Sequence, residues 1–118
     1  MSKIIKFQLP DFSPEILVQF RREQDAVAVV VVNAKDNLYV GSTGFNRAVF
    51  GVVVASLKLG VMVKGRLRCR KVVIGEIGFG KENEVPRLET AIGNNAGGAQ
   101  LSSDDISDLI DLFSTQEA

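Results

Sequence analysis

The feature that most constrains the fold is an apolar run from Ala26 to Val32, which consists only of valine and alanine. β-Branched residues favour extended backbone, and a run of this length fits a strand better than a helix. Because neither face of the run is polar, we expect a strand that other elements cover on both sides. The run is far shorter than the ~20 apolar residues that a transmembrane helix requires, so no membrane segment is predicted.

The segment before this run predicts a strand followed by a helix. Apolar and polar residues alternate from Lys3 to Leu9, which is typical of a half-buried strand. Ser13 then supplies an N-cap, and Pro14 fits the first position of a helix. Apolar residues follow at helical spacing, so we expect a helix from Pro14 to about Glu23.

The segment after the run predicts a hairpin and a second helix. Turn-forming residues at Asn33–Asn37 lead into an extended segment, Leu38–Ser42, which we expect to pair with the run. Asn46 can cap a buried helix at Arg47–Leu59, and Gly60 can end it. Three consecutive valines inside this segment also fit a strand, but the segment is too long for a typical one.

The C-terminal part predicts further strands, a linker and a helix. We expect strands at Val61–Arg70 and Val72–Ile77, whereas the segment that follows them has no clear period. Residues 93–101 are rich in Gly and Asn, which is typical of a flexible linker. Serines that can cap a helix begin residues 102–118, which predict an acidic amphipathic helix.

Together these elements predict an α+β fold with a mainly antiparallel sheet of four to five strands, two helices and a C-terminal amphipathic helix. A chain of 118 residues has room for one domain, which we assign to residues 1–92. The predicted buried strand needs cover on both faces, and two or three helices supply little of it, so we expect a homo-oligomer.

The residue types present exclude several classes of catalytic site. The chain has no His and one Cys, too few for a His-based triad or for a zinc or iron–sulfur site. The glycines between Gly75 and Lys81 match the spacing of a phosphate-binding loop, but Glu82 stands where Ser or Thr would hold magnesium. We therefore predict a non-enzymatic binding protein with no cofactor and no metal. Since nothing requires disulfides and the N-terminal residues show no apolar signal core, we expect a cytoplasmic location.

Basic residues at every second position form the sharpest local pattern. The row consists of Lys64, Arg66, Arg68 and Arg70. In a strand these cations project from one face at intervals of ~6.6 Å, close to the phosphate spacing of an extended single-stranded nucleic acid. We expect this row and Lys71 to contact phosphates, and the rings of Tyr39 and Phe45 to stack on bases. An ordinary solvated strand face is the alternative.

The charges divide along the chain although their total is zero. Residues 1–81 contain 13 Lys and Arg against 6 Asp and Glu, and residues 82–118 contain Arg87 against 8 acids. The acidic part includes an apolar stripe at helical spacing, formed by Ile106, Leu109, Ile110 and Phe113. This stripe either packs on the chain's own core or docks on a partner, and the acidic residues can compete with nucleic acid for the basic row.

Two resemblances rest on these patterns. A basic β-rich part followed by a Gly/Asn linker and an acidic apolar tail resembles the layout of single-stranded DNA-binding proteins of bacteria and phages, although this tail does not end in Asp-Phe. The segment Ala28–Gly44 contains a Leu-Tyr-Val strand and precedes a helix that ends Ala55-Ser-Leu-Lys58. It resembles small phage-encoded accessory proteins of unknown role, which implies a location in a host cytoplasm.

We therefore expect a non-enzymatic protein that contacts single-stranded nucleic acid or another polyanion through the basic row. Two alternatives stay open. One is a phage-type accessory protein that binds and modulates a host protein through the C-terminal helix, and the other is a sponge for small anionic nucleotides at a subunit interface. Phosphate contacts make affinity fall steeply with salt, whereas an apolar protein interface responds little.

Overall fold

Eight strands and two helices make up the structure, a computed structural model that describes residues 3–114. The strands are β1 (Ile4–Leu9), β2 (Ile16–Arg22), β3 (Ala26–Asn33), β4 (Tyr39–Asn46), β5 (Val63–Cys69), β6 (Val72–Glu82), β7 (Val85–Ile92) and β8 (Asn95–Gln100), and the helices are α1 (Phe50–Leu59) and α2 (Ser103–Phe113). Each strand pairs with the next in one antiparallel sheet. The edge strands β1 and β8 lie close together, so the sheet forms a nearly closed barrel.

The expectation of an α+β fold with four to five strands is therefore wrong. The additional strands come from the predicted helix, the segment without a clear period and the predicted linker, which are β2, β7 and β8. A sheet that curls on itself buries its own inner face. In the predicted fold, helices would have to bury the apolar face of the sheet. In the structure, the interior of the barrel buries that face instead.

The predicted helix from Pro14 to Glu23 is the strand β2. Ile16, Val18 and Phe20 are buried inside the barrel, and the residues between them are only half-buried. Their period of two competes with the helical spacing that the same apolar residues also satisfy. Pairing with both β1 and β3 along the strand decides for the extended form.

The predicted linker at residues 93–101 contains the strand β8, which pairs with β7. Its glycines serve close packing. A Cβ atom on Gly97 would lie 2.7 Å from the Phe12 ring, and one on Gly98 would lie 2.7 Å from the carbonyl oxygen of Leu88. The Gly- and Asn-rich composition that predicts a flexible linker here belongs to an edge strand whose neighbours leave no space for larger side chains.

Other predicted elements are confirmed. Strand β1 ends before Pro10, and β3 and β4 form the predicted hairpin. The side chain of Asn46 accepts a hydrogen bond from the amide of Ala48, and this cap begins a short 3-10 turn that continues into α1. Gly60 ends the helix with a left-handed φ of 78°, as the sequence predicts.

The valine run of β3 alternates between the two faces of the sheet. Val27, Val29 and Val31 are fully buried in the barrel, whereas Ala28 and Val30 are half-buried on the outer surface. The prediction of a strand buried on both sides is therefore wrong. Only one face of this run is buried, and the interior of the barrel buries that face.

Aromatic rings form the centre of the core. The ring of Phe79 packs edge-on against Phe20, with 5.0 Å between centroids, and stacks on Phe113 of α2 at 5.8 Å. Phe113 also makes edge contacts with Phe45 and Phe50. Helix α2 therefore packs its apolar side into the barrel core.

Both ends of α2 are fixed by side chains. At the start, Ser102 Oγ accepts a hydrogen bond from the Asp105 amide at 3.0 Å, and the Asp105 carboxylate accepts one from the Ser102 amide at 2.9 Å. At the other end, Arg22 Nη1 donates to the carbonyl oxygens of Leu112 and Ser114 at 2.7 Å and 2.8 Å. These bonds satisfy backbone groups that a helix terminus leaves without partners.

Candidate nucleic-acid interface

The basic row lies on β5, and the alternation of this strand is as predicted. Val63 and Leu67 are buried in the barrel, whereas Lys64, Arg66 and Arg68 are exposed on its outer surface. The alternation of basic and other residues in the sequence therefore reflects the pleat of a strand that exposes one face and packs the other face on the core. Three cations thus project from one face of one strand.

Arg70 and Lys71 do not continue this face. Strand β5 ends at Cys69, and both residues have positive φ values, 51° and 72°, in the tight turn to β6. The predicted strand at Val61–Arg70 is therefore shorter at its C-terminal end. The two exposed cations lie beyond the end of the row, at the end of the barrel opposite the helices.

Tyr39 lies beside the basic row. Its side chain is 53% exposed, its hydroxyl is 2.7 Å from Ser42 Oγ, and it donates to the carbonyl oxygen of Arg68 at 3.3 Å. The hydrogen bonds fix one edge of the ring against β5 and leave much of the ring open to solvent. Tyr39 and the row are thus neighbours in the fold.

Phe45 does not face the interface. Its ring makes edge contacts with Phe79 at 5.8 Å and with Phe113 at 5.6 Å, inside the aromatic core. The ring is half-buried among these aromatic side chains and leaves little surface for a base. The prediction that Phe45 stacks on a base does not fit this position, because alternation along β4 turns its side chain inward.

An open depression separates β4 from the basic row. Ser42, Thr43, Gly44, Arg66 and Arg68 line it, and its volume is about 660 Å³. The two strands pair directly only at Ser42 and Arg68, and Gly44 has no side chain to fill the space. Ser42 and Gly44 are functional candidates that sequence reasoning missed, because their position depends on β4 and β5 being neighbours across a helical connection.

The cations of the row form no ion pair in the part of the chain that the structure describes. Within residues 3–114, no carboxylate oxygen lies within 4.0 Å of a nitrogen of Lys64, Arg66 or Arg68. Glu76 lies opposite Arg66 in the β5–β6 register, and it lines a second depression on the outer surface together with Lys64, Asp11 and Glu89. The guanidinium of Arg66 is therefore free to bind an anion on the β4 side.

The apolar stripe of the C-terminal helix is part of the core. Ile106, Leu109 and Phe113 are buried, and Ile110 packs against them as a half-buried side chain. Of the two alternatives for this stripe, the structure has the one in which it packs on its own barrel. The prediction of these four residues as a docking surface is thereby corrected, and residues 115–118 lie outside the described residues.

Among residues 3–114, no group of three Cys, Asp or Glu side chains is arranged to hold a metal ion. In the same residues, neither helix is long and apolar enough to cross a membrane. Comparison with known proteins finds no matching family model, no matching curated protein and no matching solved structure.

Proposed function

We propose that this chain is a non-enzymatic binding protein for single-stranded nucleic acid. The observation that carries the proposal is the row of three exposed cations on β5, which form no ion pair among residues 3–114 and border an open depression. Arg70 and Lys71 add two exposed cations in the turn beyond the end of the row. We place the protein in the cytoplasm, that of a host if the chain is phage-encoded.

The spacing of the row suits a phosphate backbone. Alternate residues of a strand are ~6.6 Å apart, and Arg66 and Arg68 each offer a planar fork of donors that matches a phosphate group. Phosphate contacts supply affinity without sequence preference. Tyr39 adds an exposed ring at the edge of the row, on which one base can stack.

Replacing Arg66 and Arg68 together by Ala tests the proposal. We expect weaker binding to every single-stranded sequence and a salt slope that is flatter by about 1.4, because each phosphate contact contributes ~0.7 on single strands. The free energy of unfolding should change by less than about 0.5 kcal/mol, since both side chains leave from the exposed face. Fluorescence anisotropy with an oligonucleotide of ~20 bases at several salt concentrations measures the slope, and this length exceeds known site sizes.

The control variant replaces Lys58 and Lys81, which lie on α1 and β6 and line neither of the two depressions beside the row. It removes the same charge and should bind as the wild type does. Wild-type protein without salt-dependent binding would overturn the proposal, as would a double variant at Arg66 and Arg68 that binds normally. A mononucleotide that displaces the oligonucleotide at an equal phosphate concentration would favour the nucleotide sponge instead.

Association of two copies is also part of the proposal. The sequence predicts it from a strand buried on both faces, which the structure does not have, and here it rests on the outer face of α1 instead. Val52 and Leu59 lie on one face of this helix and are 67% and 79% exposed. The ten residues of α1 span only ~15 Å, whereas stable interfaces bury ~800 Å² on each partner. We therefore expect a dimer that dissociates at low concentration. Light scattering over a concentration series should show it, with Leu59→Lys shifted towards the monomer; a monomer mass throughout would contradict it.

A further inference from the structure

The outer surface of the barrel carries a second row of cations, Lys6 and Arg21, which lies three to four strands away from the β5 row around the curved wall. Strands β1 to β5 contain no Asp or Glu at all. Lys6 on β1 and Arg21 on β2 alternate with buried residues, so both lie on the same outer surface as the β5 row. The carboxylates of this half of the chain lie in its turns, at the two ends of the barrel.

The strand register places these residues in line. Arg21 pairs with Ala28, and Ala28 pairs with Gly44. Because Ser42 pairs with Arg68 in an antiparallel ladder, Gly44 lies beside Arg66. The backbones of Arg21 and Arg66 thus lie three strand spacings apart, about 14 Å measured along the curved wall, with a floor of Ala28 and Gly44 between them.

A parallel line lies one pleat away. Lys6 pairs with Gln19, Gln19 with Val30, and Val30 with Ser42, which pairs with Arg68. Val30 gives this line an apolar centre, and Ser42 holds the hydroxyl of Tyr39. The two lines together form a band on the outer wall of the barrel. This band has cations on both sides, and between them lie Gln19, Ala28, Val30, Ser42 and Gly44.

Arg21 itself is short of partners. Its Nε is buried without a hydrogen-bond acceptor, and Nη2 reaches only Gln19 Oε1 at 3.5 Å. A buried donor without an acceptor costs free energy. An anionic oxygen at the surface of the band would supply the missing acceptor.

We propose that a single strand of nucleic acid runs along the outer wall of the barrel from β5 to β1. Its phosphates contact both rows of cations, and its bases lie on the floor between them. This inference rests on the proposed function and extends it to Lys6, Arg21, Ala28, Val30 and Gly44. A single strand exposes apolar base faces that can lie on Val30 and on the backbone of Gly44. A duplex stacks those faces inside and offers the floor only phosphates, so single strands are the preferred ligand.

The first experiment replaces Lys6 and Arg21 together by Ala. With an oligothymidine of ~20 nucleotides as probe, we expect roughly tenfold weaker binding and a salt slope flatter by about 1.4. The variant at Lys58 and Lys81 is again the matched control and should bind as the wild type does. A Lys6 and Arg21 variant with the wild-type salt slope would overturn the role of the second row. If the Arg66 and Arg68 variant still has a flatter salt slope than the wild type, the proposed function stands. Absence of salt-dependent binding by the wild type overturns both.

The second experiment fills the floor. A Cβ atom on Gly44 would meet nothing closer than the Val27 carbonyl oxygen at 4.0 Å, so Gly44→Val fits the strand and should keep or raise the melting temperature. We expect it to weaken oligothymidine binding at least fivefold while leaving the salt slope of the remaining contacts in place. Gly51→Ala, at an open position on α1, is the control. Unchanged binding by Gly44→Val, or equal affinity of the wild type for a duplex of the same length, overturns the inference.

Discussion

At the scale of single residues, Arg22 joins three elements that are distant in the sequence. Its Nη1 bonds the last carbonyl groups of α2, and its guanidinium lies 4.8 Å from the centroid of the Phe50 ring on α1. Carbonyl groups at a helix C-terminus carry partial negative charge, so a cation there is favourable. Nothing in the sequence around Arg22 indicates this role, because its partners lie 90 and 92 positions away.

We expect Arg22→Ala to lower the free energy of unfolding by about 2 kcal/mol, since two charge-assisted hydrogen bonds are lost at a partly buried position. Arg22→Lys should recover part of this, because the charge stays while the fork of donors is lost. Urea unfolding followed by circular dichroism measures the difference. Arg47→Ala, at an exposed position, is the control; an Arg22→Ala variant as stable as this control would contradict the role.

At the scale of elements, the sequence predicts the boundaries that caps and turns set within a few residues. It does not predict the strands that depend on pairing with distant segments. Asn46 and Gly60 bound the helical segment in sequence and in structure, because caps act within a few residues. Strands β2 and β8 were not predictable in this way. The apolar residues of β2 satisfy two periods, and the glycines of β8 have their reason in Phe12 and Leu88, which are remote in the chain. The basic row was predictable because its period of two is local, but the floor beside it was not.

Helix α2 is an integral part of the core, and its removal tests this. A chain that ends at Gln100 lacks Leu109, Leu112 and Phe113, each buried and each worth about 1.5–3 kcal/mol. Their sum is comparable to the total stability of a typical domain. We therefore expect no cooperative thermal transition in the shortened chain, and a loss of about 3–5 kcal/mol for the milder variant Phe113→Ala. A shortened chain that melts cooperatively near the wild-type temperature would show that the helix is only a docked appendage.

At the scale of the whole molecule, a net charge of zero conceals a separation of charge in space. The walls formed by β1 to β5 carry cations and no acids, while the exposed Asp residues of α2 lie at the end that the helices close. No carboxylate of α2 forms an ion pair with a cation of the walls in residues 3–114. We therefore expect the acids of α2 to act on a ligand at the walls through their field, which falls off over a screening length of ~8 Å at physiological salt.

This separation predicts how the acids of α2 affect binding. Asp108 and Asp111 are exposed and lie beyond the capping box, so Asn at both positions should leave the helix intact. At ~0.01 M salt, where the screening length is ~30 Å, we expect faster association with the oligonucleotide; at 0.15 M the variant and the wild type should agree. Stopped-flow fluorescence at the two salt concentrations measures this, with Ser107→Ala on the same exposed face as control. Tighter binding that persists at 0.15 M would instead mean that the acidic segment touches the cations directly, as the sequence alone allows.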